Sequence, residues 1–161
     1  LALEMERCRR ESRYLGLLMV DMDHFKQIND SLGHAAGDEA LREAVRRMHG
    51  CVRPYDLIGR YGGEEFLIVL PGCDELCVLS HGERLRGVIQ DTPMMLEGRP
   101  VQVTASFGAT TAAPTSPVDV ERMLRLADEA LYEAKRAGRN RVVCQLPEGL
   151  TSSLPFVGRA T

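Results

Sequence analysis

The chain has 161 residues and is 44% hydrophobic, enough for one ordinary domain with a packed core and too short to suggest a second. Its 20 basic and 23 acidic residues leave a net charge of −3, which excludes a polybasic surface for duplex nucleic acid or an anionic membrane. No apolar run reaches the roughly 18 residues of a membrane span, and the opening LALEMERCRR lacks a secretory-signal pattern, so a cytoplasmic setting is expected.

The first segment, MERCRRESR, is charged and reads as helical. Tyr14 to Asp23 follows as a continuous apolar run ending in two acids, Asp21 and Asp23, the pattern of a central strand covered on both sides. After a short polar connection, Ala40, Leu41, Ala44, Val45 and Met48 recur at helical spacing opposite Arg42, Glu43, Arg46 and Arg47, an amphipathic helix that Pro54 terminates. DLIGRY and EEFLIVLP are strand-like runs joined by Gly62-Gly63, which predicts a hairpin with Glu64 and Glu65 at its tip.

A weaker helix spans Asp74 to about Gln90, with Leu76, Leu79, Leu85, Val88 and Ile89 as its apolar side. Val101 to Phe107 alternates as a strand. The last long helix is predicted to start at Ser116 as N-cap with Pro117 in the first turn, and to end at Gly138, with Val120, Met123, Leu124, Ala127, Leu131 and Ala134 buried. Arg141 to Cys144 forms a closing strand, so the domain is placed over residues 1–146 and residues 147–161 form a loosely ordered tail. This order predicts an α+β sandwich with a ferredoxin-like βαββαβ core, its sheet mostly antiparallel and flanked by helices.

Five scattered cysteines argue against a disulfide framework and for reduced thiols. Cys73, Cys77 and His81, at i, i+4 and i+8, would share one side of a helix and could hold a metal. A structural zinc site wants four ligands, however, and no fourth stands nearby in sequence, so ordinary thiols are expected.

Asp21 and Asp23 leave the same face of their strand, roughly 6.6 Å apart along it. If the EEFLIVL strand lies alongside, Glu64 or Glu65 approaches Asp21. Carboxylates converging in this way repel unless protonated or bridged by a cation, and hard oxygen donors favour Mg²⁺ or Mn²⁺ shared with substrate phosphates. Phe25 and Lys26 follow immediately, where helix-start amides and an ammonium can meet phosphate oxygens. Lys135 and Arg139 could point at the same place, although a helix dipole also favours cations at a C-terminus.

Three separated stretches, DMDHFKQINDSLGHAAGDEAL, RYGGEEF and ADEALYEAKRAGRN, carry a resemblance to the GGDEF family of diguanylate cyclases in its GGEEF variant, from about Leu17 to Val143. The resemblance implies a nucleotidyl-cyclase palm-like fold, a bacterial cytoplasmic setting, and condensation of two GTP molecules into cyclic di-GMP with release of pyrophosphate. It implies Mg²⁺ held by Asp21, Glu64 and the Met22 carbonyl, with Glu65 as a further ligand or as the base for the 3′-hydroxyl. Triphosphate would bind the amides of Phe25 and Lys26, the Lys26 ammonium, Lys135 and Arg139; Gly62 and Gly63 would lie under the nucleotide. Asn29 and Asp38 would read guanine, the aspartate favouring GTP alone.

Arg53-Pro54-Tyr55-Asp56 is similar to the family's RxxD inhibitory motif, implying product bound by Arg53 and Asp56 with Arg84 as a secondary contact. The family's usual lead-in is missing before Leu1, which suggests a catalytic domain of a longer, regulated protein that could be membrane-anchored, active as a homodimer because each protomer presents one GTP. Two readings compete: a catalytically weak receptor for cyclic di-GMP, and a palm-type polymerase or adenylyl cyclase.

Overall fold

The computed structural model describes residues 1–148. Its elements are α1 (Ala2–Arg10), β1 (Leu15–Met22), α2 (Phe25–Leu32), α3 (His34–His49), β2 (Leu57–Gly62), β3 (Glu65–Pro71), α4 (Glu75–Gln90), β4 (Met94–Leu96), β5 (Arg99–Val101), β6 (Ala105–Ala112), α5 (Val120–Arg136) and β7 (Val142–Cys144).

All eight residues of β1 are buried, as its unbroken apolar run requires, and the strand takes the middle of a five-stranded sheet ordered β2-β3-β1-β6-β7. The β2–β3, β3–β1 and β1–β6 pairings are antiparallel and β6–β7 is parallel. The ferredoxin-like core is thus present, extended by one edge strand. Alternate residues of β1 feed two cores. Leu18, Val20 and Met22 pack with Phe66, Ile68, Phe107 and the apolar sides of α2, α3 and α4. Leu15, Leu17 and Met19 pack with Val69 and with Met5, Met123, Ala127 and Leu131 of α1 and α5. Asp21 continues the second series and so belongs to the face that α5 covers.

Several boundaries differ from the sequence expectations, each for a local reason. The polar connection after β1 is the helix α2, too short for its few apolar residues, Phe25 and Ile28, to register as a period. The helix expected to run to Pro54 ends at His49. The hairpin turn is Gly63-Glu64, not Gly62-Gly63: Gly62 pairs with Glu65, Tyr61 is bulged out, and Gly63 alone takes a positive φ, +47°, as a primed turn demands of its first central residue. On α4, Leu76 is exposed and the buried side is Glu75, Val78, His81, Gly82, Leu85 and Ile89, because Gly82 lets the helix sit against Val142 and Leu18.

The strand predicted over Val101 to Phe107 is split: Val101 ends the small β4–β5 hairpin and β6 begins at Ala105. Thr104 is drawn out of the ladder to serve Asp23. Asp119, not Ser116, caps α5 by accepting from the Arg122 amide at 2.8 Å, while Ser116 closes a turn upstream. Cys73 and Cys77 form a disulfide, contrary to the expectation of reduced thiols; Cys8, Cys51 and Cys144 are free. Of the expected tail, Pro147 is buried and Glu148 exposed, and the remainder lies outside the described residues.

The α5–β6 contact is the tightest constraint in the packing. A Cβ on Gly108 would overlap the Ala127 carbonyl and the Leu131 amide and stand 2.8 Å from the Leu131 Cβ, all backbone-fixed atoms of α5. Gly108→Ala is therefore expected to cost about 3 kcal/mol or more of unfolding free energy, at the upper end of overpacking penalties, read from a urea titration.

Candidate functional site

The antiparallel register of β1 and β3 sets Asp21 directly opposite Glu65, and Glu64 precedes Glu65 in the turn. Directly opposed carboxylates on one face repel across roughly 5 Å between their Cβ atoms. The opposing charge comes from α5, where Lys135 Nζ lies 2.8 Å from Asp21 Oδ2. Burial raises the Asp21 carboxyl above its usual range; the Lys135 hydrogen bond and charge pull it back down, and Glu64 and Asp23 push it up further. Burial likewise raises Glu65, with Asp21 adding to the rise, Lys135 opposing it, and Asp128 and Glu64 contributing in turn.

Asp21, Glu64 and Glu65 are thus hard oxygen donors, short of positive charge, at the mouth of a strand: the chemistry that suits a divalent cation. Their oxygens do not close on one point as they stand. Among the described residues the three-residue group whose ligand atoms lie within 4.8 Å of one another is Cys73, Cys77 and His81. Mg²⁺ is commonly held by one or two carboxylates and completed by phosphate oxygens, so the acids fit that mode of binding and not a closed protein cage.

Asp23 has a different task. Its carboxylate accepts from Thr104 Oγ1 at 2.7 Å, Ser106 Oγ at 2.7 Å and the Asn140 amide at 3.0 Å, tying the end of β1 to β6 and to the turn between α5 and β7. Asn140 then donates to Gln90 Oε1 and accepts from Arg86, which joins this turn to α4. Arg139 and Asn140 both have positive φ, +60° and +47°, a conformation that these bonds hold in place.

Between Asp23 and α2 the chain bends at His24, whose φ is +57° and whose side chain makes no capping bond. The first helix bond within α2 is Gln27 N–H to the His24 carbonyl at 2.8 Å, so the Phe25 and Lys26 amides precede the hydrogen-bonded ladder, as at any helix start. Phe25 is buried and Lys26 exposed. Asn29 on α2 packs on Gly37 of α3, where a Cβ would overlap Asn29 Oδ1 and come within 3.1 Å of the Phe25 ring. The Asn29 amide therefore lies over the residue next to Asp38.

Gly62 and Gly63 both face open space. Arg60 fixes their turn by donating from Nε and Nη2 to the Gly63 carbonyl, at 2.9 and 2.6 Å. At the other end of β2, the Arg53 amide donates to Asp56 Oδ2 at 2.8 Å and the Asp56 amide to the Arg53 carbonyl at 3.0 Å, so Arg53 to Asp56 form a self-closed turn. The Arg53 guanidinium sits 5.8 Å from the Tyr55 ring centre. Arg84 reaches across from α4 to the Cys51 carbonyl at 2.7 Å, in the segment that leads into Arg53.

Met22, Glu64, Glu65, Lys135, Lys26 and Arg139 all lie on the segments that converge where β1 ends. Sequence reasoning missed the parts played by Arg60, Gly37, Thr104, Ser106 and Asn140. Arg60, Gly37 and Asn140 lie inside the stretches singled out by motif; the two hydroxyls carry no signal, because their function is defined only by the carboxylate they face.

The family model described as "Diguanylate cyclase, GGDEF domain" matches residues 1–141. Diguanylate cyclase DosC of Escherichia coli is 41% identical over 140 residues, covering 86% of this chain and 30% of that protein. The GGDEF domain of DgcB from Caulobacter crescentus, solved in complex with c-di-GMP, superposes with a TM-score of 0.83 at 28% identity, covering 89% of this chain and 85% of that one. The active GGEEF domain of a diguanylate cyclase from Vibrio cholerae gives a TM-score of 0.81 at 30% identity, covering 89% and 90%. The chain spans about a third of the length of the curated relatives it matches.

A carboxyl raised above its usual range penalises the folded state once it ionises, so the stability of the wild-type chain falls as pH rises through the window between the ordinary and the raised value. Asp21→Asn removes that ionisation. Its melting temperature is expected to gain on the wild type as pH is taken from about 4 to about 7, by calorimetry; a gain that shrinks with rising pH contradicts the assigned direction.

Proposed function

Because this chain belongs to the GGDEF-domain family of diguanylate cyclases, we propose that it condenses two molecules of GTP into cyclic di-GMP and two of pyrophosphate. The observation that carries the proposal is the β1–β3 register, with Asp21 opposite Glu65 and beside the Gly63-Glu64 turn. Asp21 and Glu64, with the Met22 carbonyl, would hold Mg²⁺ or Mn²⁺, which when bound polarises the phosphate under attack and offsets the charge of the leaving pyrophosphate.

The protein's own groups do the rest. The Phe25 and Lys26 amides and the Lys26, Lys135 and Arg139 side chains bind triphosphate oxygens; Lys135 moves from Asp21 to phosphate as the nucleotide arrives. Asp38 accepts from the guanine N1–H and amino group, and the Asn29 amide completes the contact along the guanine edge. Glu65, its carboxyl raised by burial and by Asp21, is the group suited to take the proton of the attacking 3′-hydroxyl near neutral pH. Each protomer supplies one GTP, so two sites must face each other for both bonds to form. We infer further that Arg53, Asp56 and Arg84 bind the product and restrain turnover. A regulatory segment that brings two protomers together would then set the output of the full-length protein.

The chain fused to a dimerising helix is expected to yield cyclic di-GMP from GTP and Mg²⁺, identified by chromatography, and Glu64→Gln to lower turnover by about 100-fold or more. Absence of product at high protein concentration, with cyclic di-GMP still bound, would identify a receptor instead. Gly62 has open space and an ordinary backbone conformation, so the fold does not need it. Gly62→Ala should leave the melting temperature unchanged yet raise KM for GTP about tenfold, roughly 1.4 kcal/mol; an unchanged KM removes the nucleotide from that position. Arg53→Ala should raise the half-inhibiting cyclic di-GMP concentration about tenfold, the worth of one charge-assisted hydrogen bond, and an unaltered inhibition curve would reject the product site.

A further inference from the structure

Away from the acids, the start of α4 carries a second group of reactive side chains. Cys73 and Cys77 are bonded to each other, and His81, one turn further along, has Nδ1 at 3.7 Å from Cys77 Sγ and 3.0 Å from the Cys77 carbonyl. The two sulfurs are not equivalent. Cys73 is 1% exposed and its carbonyl is anchored by Thr111 Oγ1 at 2.9 Å, whereas Cys77 is half-buried and is the third residue of α4. The Cys77 amide is capped by Asp74, so the helix entry is fixed in place. His81 is 6% exposed, and its Nε2 has no hydrogen-bond partner among the described residues. A buried imidazole with one unpartnered nitrogen and the other beside a sulfur is more than the packing of α4 requires.

From this arrangement we propose that Cys73 and Cys77 form a reversible thiol–disulfide exchange site, with Cys77 as the attacking sulfur, the His81 Nδ1–H as the donor that steadies its thiolate and an aliphatic low-molecular-weight disulfide as the co-substrate. In the reduced chain the first turn of α4 and the His81 ring stabilise negative charge on Cys77 Sγ. The thiol proton passes to water, and the thiolate attacks one sulfur of the small disulfide. A mixed disulfide forms and one small thiolate leaves, taking up a proton from water. Cys73 then loses its own proton and attacks Cys77 Sγ, which forms the internal bond and expels the second small thiolate; that thiolate takes the Cys73 proton. Two electrons have moved from the protein dithiol to the small disulfide, leaving two small thiols. A thiol in excess runs the sequence backward. Cys144 does not compete, since burial pushes its thiol up to about 12.

The test uses the whole chain, reduced with dithiothreitol, desalted, and equilibrated in buffers of graded reduced-to-oxidised glutathione. Samples are quenched in acid, alkylated with iodoacetamide after unfolding, and mapped by peptide mass. Cys73 and Cys77 are expected to lose and regain alkylation together while Cys8, Cys51 and Cys144 remain thiols. Cys73→Ser should accumulate a glutathione adduct at Cys77, and Cys77→Ser should leave Cys73 unmodified. His81→Phe should slow oxidation about tenfold. The proposal is overturned if the pair stays alkylatable in the most oxidising buffer, or if glutathione adds equally at either sulfur. It is also overturned if the reduced chain retains one equivalent of zinc through dialysis and is thereby protected from oxidation, since the three side chains are then a metal site.

Discussion

Everything at the proposed catalytic site depends on one constraint: β1 is buried along its whole length and on both faces. A strand in that position can carry no charge until it reaches its end, so Asp21 and Asp23 appear where the sheet gives out. The same burial fixes the register with β3, because a slip of one residue would carry Asp21 onto the apolar face that Leu18, Val20 and Met22 now fill. Register in turn sets Glu65 opposite Asp21 and on the face that α5 covers. The hairpin turn then puts Glu64 beside them without any requirement of its own for charge.

Function is built here against the interests of the fold. Burial raises both Asp21 and Glu65, and a single ammonium, Lys135, offsets part of their repulsion. Three non-glycine residues around the same place, His24, Arg139 and Asn140, hold left-handed backbone conformations. Asp23 holds much of this together by binding β6 and the turn after α5 at once, with Asn140 passing the restraint to α4 through Gln90 and Arg86. Strain and unbalanced charge gathered in one corner of an otherwise well-packed domain are what a site prepared for a polyanion and its counter-cation would leave behind.

How much could be read beforehand varies with the range of the interaction. The β1 run, the α3 and α5 stripes and the β2–β3 hairpin were legible because periodicity and turn chemistry are local. The β4–β5 hairpin is not legible: its three-residue strands are too short to show a pattern, and the unbroken alternation from Val101 to Phe107 hides the place where Thr104 leaves the ladder for Asp23. On α4, Leu76 is expected in the core and is exposed, while Gly82, a poor helix former, is the contact that lets the helix approach Val142. The cysteines were misjudged because bonding depends on where Cys73 stands relative to the first turn of α4, which spacing alone leaves open.

The sequence by itself determined the fold class, the family motifs and the identity of the acids, since residue types and their short-range order are all those require. Only the tertiary structure decided which acid faces which, that Asp23 fastens three segments together while Asp21 meets Lys135, and that Gly37 leaves the room the Asn29 amide fills. It also decided that Cys73 and Cys77 are bonded. Each of these depends on separation in space between groups that lie on different elements or on either side of a bend, and that separation exists only once the sheet has chosen its register and the helices have settled on it.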